Sequence, residues 1–293
     1  MACNRSVKAY YSKTVNEGTG KRSLVFNQRD RYLGTDPDYA GSLEIPCGKC
    51  LGCKADQSLM WSIRAYHEST LHDQNCFITL TYDNDHLPKD GKINKRDLQL
   101  FFKRLRKQID NRLFPTKIRY IACGEYGAMI RRPHYHAIIF GLDFLEGAVD
   151  ISSELYTNSQ LVDAWDNGHV SIAPVNMASI CYVCGYVNKK IDDPDTFSLM
   201  SRRPGIGHNW LDRYADSVAR TGVVTIEGKA YQVPKRYLEW SGEKLDGIKQ
   251  AQKDFAREKS KKIDSLTRFK QGLSREEKMR CKAKAKQVLE NKL

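Results

Sequence analysis

Two histidines, His134 and His136, open an apolar run that ends at Gly141. The run from Ala137 to Phe140 is typical of a buried strand, in which residues i and i+2 project from the same face. At roughly 3.3 Å per residue the two histidine Cα atoms would lie about 6.5 Å apart, so both imidazoles could converge on one metal ion. Taken alone, such a pair more often marks two incidental polar positions at a strand edge. Its interpretation therefore depends on the segments that flank it.

A carboxylate is expected beside these imidazoles. The segment 117–123 is predicted to be a strand, and a short connection leads from it to the histidine strand, which indicates a hairpin. Such a hairpin would bring Glu125 alongside His134 and His136. One carboxylate and two imidazoles suit a divalent ion such as Mg²⁺ or Mn²⁺. Without the histidines, Glu125 would more often be a turn residue than a ligand.

Two phenols follow with helical spacing. The segment 176–190 is predicted to be a helix, on which Tyr182 and Tyr186 share a face with their Cβ atoms about 6 Å apart. Lys189 falls one turn beyond Tyr186. Without the histidine pair, the better interpretation would be an amphipathic helix whose tyrosines are half-buried packing residues.

A separate cluster of thiols lies near the N-terminus. Two overlapping Cys-x-x-Cys spacings at Cys47, Cys50 and Cys53 place three thiolates within reach of one centre, and Cys3 is the natural fourth ligand. The pattern predicts a structural zinc site; free thiols in a loop and an iron–sulfur cluster are the alternatives. A chain without a secretion signal is not expected to use its nine cysteines as a disulfide framework.

The elements that would position these residues follow from periodicity. Strands are predicted at 76–82, 117–123, 135–140 and 169–175, a hairpin at 223–234, and helices at 55–71, 95–113 and 159–165. Residues 1–46 are expected to form loops and one hairpin. His67 and His72 are expected to be partly exposed helix histidines without a function. The glycines of the 201–207 loop fit neither a P-loop nor a dinucleotide fingerprint, which disfavours a nucleotide-hydrolysing motor.

Charge and composition point to a polyanionic partner. The 293 residues are 41% hydrophobic, enough to bury a core, and no stretch approaches the roughly 18 apolar residues of a membrane span. The net charge is +13, which favours nucleic acid as the partner ahead of an anionic membrane surface. Residues 234–293 hold 18 Lys and Arg against 9 Asp and Glu, and are predicted to form an extended or partly disordered basic helical tail that grips phosphates.

In this order the motifs resemble those of the HUH single-strand endonucleases, the nickases that start rolling-circle replication. Segment 77–82 corresponds to the first motif of that family, 133–140 to its metal motif and 182–189 to its nucleophile motif. The paired tyrosines are similar to those of the Microviridae initiators, and the cysteine cluster, the 201–207 loop and the hairpin resemble the gokushovirus branch. The resemblance covers roughly residues 47–240. One departure is Tyr135, which stands where the family motif has a hydrophobic residue; an aromatic ring is tolerable on the buried side of the strand.

The resemblance implies an α+β fold of the RRM or ferredoxin-like kind. A central antiparallel sheet would carry the histidine strand in its middle, with flanking helices and the tyrosine helix packed over it. The implied domains are residues 1–72 with the cysteine knuckle, 73–240 as the endonuclease domain and 241–293 as the basic tail.

It also implies a replication initiator that nicks single-stranded DNA. Mg²⁺ or Mn²⁺ on His134, His136 and Glu125 would orient the scissile phosphate, and Tyr182 and Tyr186 would form 5′-phosphotyrosine links that prime copying and later rejoin ends. Lys189, with Lys190 as the alternative, would stabilise the phosphate or phenolate charge. The family takes its third metal ligand from variable places, so Glu125 is chosen on hairpin geometry.

The implied partners are single-stranded or supercoiled phage origin DNA and the host replication machinery, including a helicase. No membrane partner is implied, and the expected location is the cytoplasm of the host bacterium. A relaxase or transposase of a mobile element would share the same site. A non-catalytic zinc-knuckle DNA-binding protein, in which the histidines and tyrosines only pack, is the alternative from another class.

Overall fold

The computed structural model of the protein describes residues 3, 5–36, 38–111, 116–127, 131–186, 195–261 and 265–290. The chain divides into two compact units. One comprises Met1–Asp56 with Lys249–Leu293, and the other comprises Gln57–Ile248. None of the helices in the described ranges has the length and apolar character that a membrane crossing needs.

The N-terminal part of the first unit holds a small antiparallel sheet in the order β2-β1-β3. Its strands are β1 (Val7–Asn16), β2 (Lys21–Val25) and β3 (Leu43–Ile45). The expected hairpin is formed by β1 and β2, which pair from Tyr10 with Val25 to Asn16 with Lys21. The third strand has three residues, too few to show the alternation by which a strand is recognised in a sequence.

The remaining elements follow along the chain. Helix α1 (Leu51–Ser69) begins before the predicted start at Ala55, so Cys53 lies in its first turn. The others are β4 (Asn75–Tyr82), α2 (Lys95–Asp110), β5 (Arg119–Tyr126), β6 (Pro133–Phe140), β7 (Val149–Ser152), β8 (Leu155–Thr157), α3 (Ser159–Trp165), β9 (Gly168–Pro174), α4 (Met177–Tyr186), β10 (Phe197–Met200), α5 (His208–Thr221), β11 (Val223–Ile226), β12 (Lys229–Gln232), α6 (Lys235–Trp240), a 3-10 helix (Gly242–Leu245), α7 (Asp246–Lys261) and α8 (Ser265–Glu290).

A seven-stranded antiparallel sheet forms the centre of the second unit, in the order β10-β5-β6-β4-β9-β8-β7. The histidine strand β6 lies between β5 and β4, which confirms the α+β fold with a central antiparallel sheet predicted from the sequence. Strand β5 continues to Tyr126, beyond the predicted end at Cys123. Glu125 is therefore a strand residue, because it is paired with His134, and not part of a turn.

The two faces of this sheet are covered by different helices. Helices α2 and α3 pack on one face, where Tyr135, Ala137 and Ile139 of β6 join their core. Helices α1 and α4 cover the other face, to which Ile138 and Phe140 point. Because side chains alternate along a strand, His134 and His136 belong to the face of α1 and α4.

The departure at Tyr135 is accommodated on the α2 face. Its ring is fully buried, and its hydroxyl lies 2.8 Å from the Tyr82 hydroxyl and donates to the Asn94 carbonyl at 2.9 Å. Asn94 also caps α2, since its side chain accepts a hydrogen bond from the Arg96 backbone N–H. An aromatic residue between the histidines therefore anchors the start of α2 and leaves the histidine face unchanged.

The expectation that His67 is partly exposed is wrong. Its side chain is 1% exposed, its ring stacks on Trp210 at 3.5 Å between centroids, and its Nδ1 lies 3.0 Å from the Tyr237 hydroxyl. Burial lowers the pKa of His67 to about 3, so the imidazole is neutral. Both partners lie more than a hundred residues away in the sequence, which is why the local pattern of α1 could not reveal the burial.

The basic tail is helical, as predicted, in α7 and α8. It is not simply an extended appendage, because Glu276 of α8 is 8% exposed and receives Arg280 at 3.1 Å and Arg5 at 3.7 Å. Arg5 belongs to the same unit as α8, so the tail joins the N-terminal segment in one body.

Candidate functional site

Three strands line up the polar residues of the histidine face. In the register of the sheet, Glu125 of β5 lies opposite His134, and His134 lies opposite Thr81 of β4. His136 lies opposite Thr79 in the next row of the same face. Directly opposed residues in an antiparallel pair project to the same side, so these five side chains share one surface.

The two threonines contact the two imidazoles. Thr79 Oγ1 lies 3.0 Å from His136 Nδ1, and Thr81 Oγ1 lies 3.0 Å from His134 Nδ1. A hydroxyl can either donate to a bare ring nitrogen or accept from a protonated one, so each threonine holds its imidazole in both tautomers. The Nε2 atom of each ring is thereby left for a second partner.

Glu125 joins a histidine to a tyrosine. Its Oε1 atom lies 2.9 Å from His136 Nε2, and the same oxygen accepts a hydrogen bond from the Tyr182 hydroxyl at 2.8 Å. Glu125 and His136 are 6% and 8% exposed. A carboxylate in this position can accept a proton from the phenol or serve as a metal ligand.

Helix α4 places both tyrosines over this surface, as the sequence predicted. The Tyr182 and Tyr186 rings lie 5.0 Å apart, and they lie 5.0 and 6.3 Å from the His136 ring. The i, i+4 spacing puts them on one side of the helix, and Ile180, Val183 and Cys184 bury the rest of α4 in the core. Lys189, predicted one turn further on, and its alternative Lys190 lie outside the described residues.

The predicted metal donors are brought together in part. His136 Nε2 and Glu125 Oε1 are separated by the roughly 3 Å expected for neighbouring ligands bound at about 2.1 Å in octahedral geometry. His134 is on the same face, but its ring centroid is 6.4 Å from that of His136. Within the described ranges, only the cysteine cluster brings three or more metal-binding side chains within 4.8 Å of one another. Two of the three donors are therefore adjacent, with His134 standing beside them.

Burial tunes the ionisation of this site. It lowers the pKa of His134, with nearby His136 acting in the same direction, so the neutral imidazole that can bind a metal is favoured. Burial also raises the pKa of Tyr182, reinforced by its hydrogen bond with Tyr186 and by the Glu125 charge. Tyr182 is consequently a protonated phenol that needs a proton acceptor before it can attack.

Gly127, just beyond β5, leaves room for His134. A Cβ atom at this position would lie 2.8 Å from His134 Nε2, closer than side-chain contacts allow. The His134 ring is held from the other side by Thr81, so it could not simply yield. The glycine after Tyr126 therefore shapes the site.

The cysteines form a second centre within the first unit. Cys47 Sγ lies 4.0 Å from Cys53 Sγ, and Cys50 Sγ lies 3.9 Å from Cys3 Sγ. A tetrahedral zinc site with bonds of about 2.3 Å needs sulfur atoms about 3.8 Å apart. All four sulfur atoms lie within 4.8 Å of one another, so this cluster could hold a metal ion. Cys3, proposed from the sequence as the fourth member, is in place.

Thr79 and Thr81 are the site residues that sequence reasoning misses. The pattern of segment 76–82 identifies them as strand residues and gives them no role in the site. The available signal is a Thr-x-Thr pair with the same period of two as the His-x-His pair. Using it requires the register between β4 and β6, which local patterns do not specify.

Comparison with known proteins adds a family likeness. Residues 75–191 match the model of a replication-associated protein family whose description names ORF2. The chain is 33% identical to replication-associated protein VP4 of Bdellovibrio phage phiMH2K, across 82% of this chain and 77% of that protein. It is 30% identical to replication-associated protein ORF2 of Spiroplasma virus 4, across 88% and 87% of the two chains. It is also 30% identical to replication-associated protein ORF4 of Chlamydia phage 1, across 67% and 53%. No solved structure matches the chain.

Proposed function

Because this chain belongs to the family of phage replication-associated proteins, we propose that it starts rolling-circle replication by cutting one strand of the phage origin DNA. The observation that best supports this chemistry is the contact of the Tyr182 phenol with Glu125, which in turn contacts His136. A nucleophile, a proton acceptor and a metal-binding imidazole then lie on one face of the sheet. This is the site expected of an HUH nickase.

His136 and Glu125 would hold the divalent ion, with His134 as the third donor. A bound Mg²⁺ or Mn²⁺ supplies Lewis-acid polarisation of the scissile phosphate. The two threonines keep the imidazoles oriented while the Nε2 proton of His136 is given up. In the tautomer that ligates through Nε2, the Nδ1–H of His136 donates to Thr79.

Tyr182 is the proposed first nucleophile. Its oxygen would attack phosphorus as the bond from phosphorus to the 3′ oxygen breaks, giving a 5′-phosphotyrosine and a free 3′-hydroxyl. Glu125 would accept the phenolic proton, and the departing 3′ oxygen gains one, so protons balance over the step. The phosphodiester energy is retained in the tyrosyl ester, so the same site can rejoin ends without ATP.

Tyr186 would carry out the second transfer. Its ring lies 5.0 Å from that of Tyr182, so it can attack a newly copied origin while the first strand is still attached. Lys189 would stabilise the phosphate or phenolate charge. The substrate would be single-stranded or supercoiled origin DNA in the cytoplasm of the host bacterium, with a host helicase separating the strands.

The test is adduct formation by the full chain on single-stranded origin DNA with Mn²⁺. We expect a protein–DNA adduct that survives denaturing electrophoresis and disappears with a chelator. His136→Ala should reduce the yield at least about 100-fold, while His208→Gln, on α5, should leave it unchanged. If no adduct forms on any single-stranded origin fragment, the chemistry is wrong and the zinc-knuckle binding protein becomes the better interpretation.

The threonines give a prediction that does not depend on cleavage. Thr79→Val and Thr81→Val keep the side-chain shape but can neither accept from nor donate to the imidazoles, so Mn²⁺ affinity should fall about 10- to 100-fold. Calorimetry measures the affinity, and ¹⁵N NMR of the metal-free protein reads the histidine tautomers, which should become mixed. Thr225→Val, an exposed strand threonine of β11, is the matched control. Wild-type affinity and tautomers in both variants would show that the rings are oriented by something else.

A further inference from the structure

A second basic surface lies on the opposite side of the sheet from the candidate site. Two neighbouring cavities, of about 520 and 730 Å³, run along α2 and share Arg106 and Asp110 in their linings. We call this surface the α2 groove. One end is lined by the start of β5 and the loop after β10, and the other by the exposed side of α2.

The groove carries a strong excess of positive charge. Its described lining includes seven exposed cations and a single carboxylate, Asp110. The cations are Arg96, Lys103, Arg106, Lys107, Lys117, Arg202 and Arg203. Arg119 also lines it, but its guanidinium is taken up by the buried Glu68 carboxylate and the Pro204 carbonyl. A concave surface lined by one sign of charge concentrates its field on an anion.

An aromatic side chain forms part of the groove wall. Tyr120 of β5 stacks on the buried Phe102 ring at 3.6 Å between centroids, with an interplanar angle of 13°. The Arg106 guanidinium lies over the Tyr120 ring, 5.2 Å from its centroid. Cations that follow a backbone, together with an aromatic ring fixed from below, are the combination that binds single-stranded nucleic acid.

We propose that the α2 groove binds the phosphate backbone of single-stranded DNA that continues from the cleavage site. This inference rests on the proposed action on DNA, and adds a second contact region to it. Arg119 and Glu125 are the two ends of the relevant stretch of β5, six residues or about 20 Å apart at roughly 3.3 Å per residue. At about 3.4 Å per nucleotide of a B-form strand, that is at least about six nucleotides from the scissile phosphate.

The test removes charge from the groove without touching the proposed catalytic site. The triple variant Lys103→Gln, Lys107→Gln, Arg202→Gln alters only exposed side chains, and Arg106 is kept because it contacts Tyr120. The control carries the same change in charge at Arg220, Lys229 and Lys235, which are exposed on α5, β12 and α6. Thermal melting of both proteins checks the fold.

Binding is measured by fluorescence anisotropy with a 20-nucleotide origin strand and with a strand of about four nucleotides at the nick. For the long strand we expect the groove variant to bind at least about tenfold more weakly, and the slope of log K against log salt to fall by about 2. Binding of the short strand should be unchanged, as should adduct formation at saturating DNA. Equal binding of the long strand by groove variant and control overturns the proposal, as does an equal loss for both lengths or a loss for duplex DNA alone. A wild-type protein that binds the long strand through the groove but forms no adduct would instead reject the nicking chemistry and leave the groove in place.

Discussion

Tyr182→Phe is expected to abolish the first covalent DNA adduct, lowering its rate of formation by roughly 10⁴-fold or more, as loss of a nucleophile does in other enzymes. The substitution removes the oxygen that contacts Glu125 and keeps the ring that packs against His136. Tyr186→Phe should still form the first adduct but lose the second transfer, so circles are not released. The double variant should form no adduct. Denaturing electrophoresis of labelled origin DNA measures the first step, and release of circular product measures the second.

Tyr214→Phe on α5 is the control for these substitutions, because Tyr214 is an exposed tyrosine outside the candidate site. It should behave as the wild type in both assays. An adduct formed by the double variant would exclude both tyrosines as nucleophiles. If Tyr186→Phe rather than Tyr182→Phe removes the first adduct, the order of attack is reversed and the hydrogen bond to Glu125 does not select the first nucleophile.

The cysteine cluster is expected to contain about one zinc ion per chain, and Cys50→Ser should lose it. Structural zinc contributes about 10 kcal/mol or more to the folding of small metal-bound segments, so the N-terminal unit should lose protease resistance in the variant and after chelation. The geometry supports this expectation, since the sulfur atoms are separated by 3.9–4.0 Å in two pairs. Metal analysis and limited proteolysis of the whole chain measure the two effects.

Cys281→Ser, an exposed cysteine of α8, is the matched control and should retain zinc and protease resistance. Iron with visible absorption would favour the iron–sulfur alternative. Metal-free protein with an unchanged proteolysis pattern would identify the four cysteines as free thiols.

The parts of the fold that the sequence could reveal are those with a local signature. The His134 and His136 pair in a strand and the Tyr182 and Tyr186 pair on a helix depend on periods of two and about four residues, which are legible in one segment. The position of β6 between β5 and β4 agreed with the family resemblance. The cysteine spacing likewise identified three members of its cluster directly.

The parts that could not be predicted depend on partners distant in the chain. The contacts of Thr79 and Thr81 with the histidines span more than fifty residues and exist only in one register of β4 against β6. The burial of His67 requires Trp210 and Tyr237, and the exposed side of α2 becomes a groove only when β5 and the 201–203 loop lie beside it. Local patterns define which residues are polar or apolar, and tertiary pairing decides what they contact.

The register of β4 against β6 also has a consequence for folding. A slip of one residue would turn His134 and His136 toward the apolar core under α2, and Tyr135 toward the tyrosine helix. Burying two imidazoles there would cost the hydrogen bonds that both threonines now provide. Misregistered sheets would thus be penalised by the same side chains that form the site. Competence for metal binding would therefore report that the central strands have paired correctly during folding.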